Sequence, residues 1–110
     1  MNPFEAFEAV DMRVGRVTAV QVNEAARKPA YKMWIDFGPE LGVRTSSGQY
    51  TTLYQPADLV GRLVVCAVNL GERRIAGFNS QVLVMGVPDA DGATVLLATE
   101  RDVPLGAKVF

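Results

Sequence analysis

Hydrophobic and polar residues alternate along most of this chain with a period of two, and the exceptions mark where a strand must bend or stop. Residues Met12 to Val22 predict one long strand, with Met12 and Val14 on one parity and Val17 and Ala19 on the other. A bulge at Gly15 accounts for that change of face. After a loop over residues 23 to 30, Tyr31, Met33, Ile35 and Phe37 share one face of a second strand, and Lys32, Trp34 and Asp36 share the other. Gly38-Pro39 ends it. Residues Gly42 to Gln49 predict a third strand, poor in hydrophobics and rich in hydroxyls, with one side toward solvent. Arg62 to Leu70, Gln81 to Val87 and Thr94 to Thr99 predict three more, the last two joined by a turn at Pro88 to Gly92. The tail from Val103 to Phe110 completes the chain.

Two short helices punctuate the strands. Asn2 is an N-cap, Pro3 suits the first helical position and Glu5 stands where a capping acid belongs, so a helix is expected over residues 3 to 9. A helix this short is unstable alone, so Phe4 and Phe7 on its one face must dock on the body of the protein or on a second subunit. Pro56, Leu59 and the stop at Gly61 predict one helical turn between the third and fourth strands. A long bent first strand, regular short strands and a small helix at that place predict an all-β OB fold. This is a partly open five-stranded Greek-key barrel, here with short flanking helical elements. The 110 residues are expected to form a single domain over 1–110, with enough apolar surface, at 49% hydrophobic residues, to bury a core without staples.

The chain contains no histidine, which removes Ser-His-Asp and Cys-His catalysis and the commonest zinc ligand together. No enzyme activity, cofactor or metal is expected; Asp89 and Asp91 fall in a turn, where Asp supports backbone geometry. Cys66, the single cysteine, lies inside the apolar run Leu63 to Val68 and reads as a core thiol. The first residues include Glu5, Glu8 and Asp11 and no long apolar run, so a cytoplasmic location without membrane insertion is expected. Eleven basic against twelve acidic residues leave a formal charge of -1. Any nucleic-acid site must therefore be a local patch.

Trp34 and Lys32 on the polar face of the second strand are the most informative pair, because a large ring on a solvated face must be covered by a ligand, a subunit or a loop of its own chain. Arg44, Ser46 and Gln49 of the third strand are expected to share that face, the usual platform of this fold. The connection Asn69 to Ser80 reads as an irregular loop. In it Arg73 and Arg74 suit phosphates or carboxylates, while Phe78 and Ile75 offer a stacking surface or plug the barrel end.

Asp11-Met12-Arg13-Val14-Gly15-Arg16-Val17, Ile35-Asp36-Phe37-Gly38, Ser46-Ser47 and Val68-Asn69-Leu70, with Arg73-Arg74-Ile75-Ala76-Gly77-Phe78 and Ser80, together resemble the tRNA-binding-domain family over nearly the whole chain. Within it, the compact length, the Tyr54-x-Pro56 step and the Arg-Arg-Ile-Ala-Gly-Phe run resemble the CsaA export-related chaperones. The resemblance implies a homodimer that binds unfolded polypeptides or preproteins and is linked to the SecA export machinery. It also implies an alternative, recognition of tRNA through the same barrel. For polypeptide, the expected site is Trp34, Tyr54, Ile75, Phe78, Arg73 and Arg74. For RNA it is Lys32, Arg44, Ser46, Gln49, Arg73, Arg74, Asn79 and Ser80. Phe4, Phe7 and Phe110 are the expected dimer contacts.

Overall fold

The computed structural model describes residues 1–110. The chain forms α1 (Pro3–Ala9), β1 (Met12–Val22), β2 (Tyr31–Asp36), α2 (Gly38–Leu41), β3 (Val43–Gly48), α3 (Pro56–Leu59), β4 (Leu63–Ala67), β5 (Arg73–Ile75), β6 (Phe78–Ser80), β7 (Leu83–Val84), β8 (Gly86–Pro88) and β9 (Thr94–Leu96). Asn2 caps α1 as its sequence predicts, its Oδ1 accepting the Glu5 N–H at 2.9 Å. No helix is long and apolar enough to cross a membrane.

Five strands form one antiparallel sheet in the order β3-β2-β1-β4-β7. Its two edges nearly meet. The N–H groups of Gln81 and Val82, just ahead of β7, both donate to the Thr45 carbonyl of β3, at 2.8 and 3.1 Å. With α3 between β3 and β4, this is the nearly closed barrel of an OB fold. Leu59 of α3 is fully buried and helps fill the barrel, where Val17, Met33, Ile35, Phe37, Val64 and Cys66 are also sealed from solvent.

β1 joins the two sides of the barrel: residues 12 to 16 pair with β4, and residues 16 to 22 pair with β2. The expected bulge at Gly15 is corrected to Thr18. Val17 pairs with Ile35 and Ala19 with Trp34, which leaves Thr18 as the extra residue, its Oγ1 donating to the Trp34 carbonyl at 3.1 Å. Sequence parity misled because the first half of β1 is buried on both faces. Gly15 and Val17 face the barrel, whereas Val14 packs outside it with Leu63, Val65, Val103, Leu105 and Val109. The tail supplies this second layer, with Ala107 O accepting from Val14 N–H and Val109 N–H donating to Met12 O, both at 2.9 Å. β4 is covered on both faces for the same reason, which explains its unbroken apolar run.

Three other expectations change. The strand expected over Arg62 to Leu70 is shorter at both ends, and the one over Gln81 to Val87 divides into β7 and β8. The division falls where Met85 N–H reaches Val65 O while Gly86 turns to pair with Leu96 of a separate hairpin. The segment expected to be an irregular loop holds a second hairpin, β5-β6, closed by a two-residue turn in which both Ala76 and Gly77 have positive φ, 50° and 81°. That is the turn whose twist suits a tight hairpin. Ala is an uncommon residue there, which is why the turn was not legible.

Candidate functional site: an aromatic step and a folded-over hairpin

The hairpin lies over the outer face of β2 and β3 and covers Trp34. The Phe78 and Trp34 rings meet edge to face at 5.5 Å between centroids and 74° between planes, and the Lys32 ammonium stands 5.1 Å from the centre of the Phe78 ring. All three side chains are half-buried. Of the three covers open for Trp34, that by its own chain is realised in part; an accessible aromatic step remains.

The hairpin is held by polar side chains that hydrophobic patterning does not register. Thr45 Oγ1 donates to Asn79 O at 2.6 Å, and its N–H donates to Gln81 Oε1 at 3.1 Å. Ser47 N–H donates to Ser80 Oγ at 3.0 Å. From the loop before β2, the buried Asn23 amide donates to Ser47 Oγ at 3.2 Å and reaches Ile75 O at 3.5 Å. The Glu72 carboxylate accepts from Asn79 Nδ2 at 3.1 Å and from Gln81 Nε2 at 3.2 Å. These two donors, with Arg44 adding its charge, hold the Glu72 carboxyl below its ordinary pKa despite its exposure. Asn23, Thr45 and Gln81 were missed as site-builders because their partners lie 24 to 52 residues away in sequence, and Glu72 because its two amide partners, 7 and 9 residues on, come to it only when the hairpin folds back.

Two recesses flank Ile75 and share Ser47. One, about 500 Å³, is lined by Ala25, Ala26, Ala30, Ile75 and Ala76, with Arg27, Lys28 and Gln49 around it. The other, about 370 Å³, is lined by Leu70, Val82 and Leu83 together with Arg73. None of Arg27, Lys28, Lys32, Arg73 and Arg74 is in an ion pair; the ion pairs of the chain are Arg13–Asp11, Arg16–Asp102 and Arg101–Glu100. Arg74 instead donates to the Gly77 carbonyl at 2.8 Å.

The structure thus brings together Trp34, Lys32, Ile75, Phe78, Arg73, Arg74, Asn79 and Gln49, and separates others from them. Tyr54 is corrected to a core residue: it is buried, its hydroxyl accepts the Leu96 N–H at 3.0 Å, and its carbonyl takes the Tyr31 hydroxyl at 2.8 Å. Ser46 and Arg44 were assigned to the wrong face of β3. Register pairs Trp34 with Thr45 and Lys32 with Ser47, so Ser46, opposite Met33, turns into the barrel at 2% exposure. Arg44, opposite Ile35, is half-buried and donates to Leu41 O at 3.1 Å. Ser80 is likewise buried, its hydroxyl spent on Ser47. Phe4, Phe7 and Phe110, which line neither recess, border a separate notch of about 420 Å³ with Val10 and Val109. Phe4 is 67% exposed and Phe110 fully so.

Comparison with known proteins places this geometry. Over 100% of its length the chain is similar to the crystal structure of chaperone CsaA from Bacillus anthracis, at 46% identity, a TM-score of 0.91 and 99% coverage of that chain. It is similar to the crystal structure of CsaA chaperone protein from Picrophilus torridus at 36% identity and a TM-score of 0.92, with both chains fully covered. Among curated proteins it is 34% identical over 106 residues to methionine–tRNA ligase of Pyrococcus furiosus, which takes in 96% of this chain. The chain spans only 14% of that ligase. Residues 12–108 match the family described as "Putative tRNA binding domain", and the chain belongs to that family.

Proposed function

We propose that this chain is a CsaA-like chaperone that captures unfolded or exported polypeptide on the surface built by Trp34, Phe78 and Ile75, and that it catalyses no reaction. The observation that carries this reading is the half-exposed edge-to-face pair beside two recesses with apolar walls. Such a surface gains free energy from apolar side chains of any sequence, which suits broad, modest capture of non-native segments. The reading includes a cytoplasmic homodimer joined through Phe4, Phe7 and Phe110, with SecA as the receiving partner for preproteins. Two copies of the site then act together and raise avidity.

A second reading, recognition of tRNA, is favoured by one observation: the five cations around the site have no carboxylate partners. In it, Lys32, Arg27, Lys28, Arg73 and Arg74 bind phosphate, and Trp34 and Phe78 stack bases. A titration separates the two. The purified chain is mixed with bulk tRNA and with an unfolded polypeptide, at low and at physiological salt, while its mass in solution is recorded. Capture of polypeptide that survives salt, by a dimer, supports the chaperone reading. Tight tRNA binding that falls steeply with salt, without polypeptide capture, overturns it.

A further inference from the structure

β5 has a strand on one side only. It pairs with β6 in a two-stranded ladder, and no other strand of the chain borders it. Which backbone groups its free edge offers follows from the hairpin geometry. Ile75 and Phe78 flank a two-residue turn and form a hydrogen-bonded pair, and antiparallel pairs alternate, so Arg74 and Asn79 form a non-bonded pair whose N–H and C=O groups point away from each other. The β6 side of that expectation is met, because Asn79 O points outward and accepts from Thr45 Oγ1. By the same parity the N–H and C=O of Arg74 point outward on the opposite edge. Neither takes part in any of the hydrogen bonds made outside the ladders. Both recesses reach this strand at Ile75, and Arg73 stands on one while Arg27 and Lys28 stand on the other.

We infer that β5 is the docking edge for client polypeptide: an extended segment adds as a third strand beside β5 and hydrogen-bonds the Arg74 backbone. Alternate apolar side chains enter the recesses on either side of Ile75. Carboxylates next to them meet Arg73, Arg27 and Lys28, which have no acidic partner in the chain. The client is therefore an extended stretch of alternating apolar and acidic residues. Backbone pairing supplies sequence-tolerant affinity, and the recesses and cations supply preference. This rests on the polypeptide-capture reading above and names the substrate class of that site.

The test uses a fluorescently labelled eight-residue peptide of alternating valine and glutamate, read by anisotropy against the full-length chain. Methylating its backbone nitrogens on the edge that faces β5 is expected to weaken binding at least tenfold, as is exchanging glutamate for lysine. Arg74→Pro removes the outward N–H and leaves the ladder to β6 untouched, and is expected to weaken the peptide equally; the methylated peptide gives the same reading without altering the protein. If the chain captures an unfolded polypeptide but holds the parent, methylated and lysine peptides alike, the docking edge is overturned and the chaperone reading stands. If it captures neither, both fall. A fall in the protein's mass in Arg74→Pro, with peptide binding unchanged, would give the edge to a second copy of the chain and overturn the proposal.

Discussion

Replacing Phe78 by Ala tests the aromatic step on which the functional reading rests, and Trp34, the only tryptophan, reports on it directly. The substitution removes an edge-to-face contact at 5.5 Å, worth about 0.5 to 1.5 kcal/mol. It also removes the ring beneath the Lys32 ammonium at 5.1 Å, worth about 0.5 to 1 kcal/mol at a site open to water. The expected loss of stability is about 1 to 2.5 kcal/mol, or roughly 5 to 15 °C in Tm for a chain of this size. Urea unfolding followed by Trp34 emission and by circular dichroism measures it. The native emission should shift to the red and become more open to acrylamide, because the ring that shields Trp34 has gone. A cycle with Lys32→Ala should return a coupling of about 0.5 to 1 kcal/mol between Lys32 and Phe78. Capture of unfolded polypeptide should fall with the loss of Phe78 while the fold persists. Unchanged emission, unchanged stability and zero coupling would refute the reasoning, since they would mean that the hairpin does not sit on β2 in solution.

Two further predictions concern the barrel. A Cβ at Gly15 would lie 2.5 Å from Ile35 Cγ2 and 2.8 Å from the Phe37 ring, both sealed in the core. Gly15→Ala should therefore cost about 1 to 3 kcal/mol by overpacking, and a denaturation midpoint within error of the parent would contradict it. Burial pushes the Cys66 thiol up from 9.0 to about 12 and the Tyr50 hydroxyl up from 10.0 to about 12. A raised folded pKa keeps its full stabilising effect below the unfolded value and loses it as pH rises through the folded one. Stability should hold to about pH 9 and fall between about pH 9 and 12, less steeply in Cys66→Ala. Equal slopes for the two proteins would place the thiol in water.

The sequence by itself determined most of the barrel. The alternation of Tyr31, Met33, Ile35 and Phe37 gave β2 and its faces, Asn2-Pro3 gave the start of α1, Pro56 to Leu59 gave α3, and the apolar run around Cys66 marked a strand with no solvated side. These are local signals, written in spacing that a single strand or turn obeys whatever surrounds it. It also singled out Trp34, Lys32 and Phe78, because a large ring among polar residues is anomalous in whatever fold the chain adopts.

Only the tertiary structure decided what those residues do together. The bulge at Thr18 was hidden because the tail buries the outer face of β1, so both parities look apolar and a change of parity loses its meaning. The face of β3 depended on a register one residue away from the expected one, and a single step exchanges Ser46 with Thr45. Tyr54 was expected in the polypeptide site through the resemblance, and its place in the core shows only in contacts with Tyr31 and Leu96, 23 and 42 residues away. Likewise, the cover over Trp34 comes from a hairpin whose anchors, Asn23, Thr45 and Gln81, are polar and distant in sequence. Long-range hydrogen bonds leave no periodic trace in the chain that makes them. The fold could be read from pattern, whereas which side chains share one face of the candidate site follows from register and from these contacts.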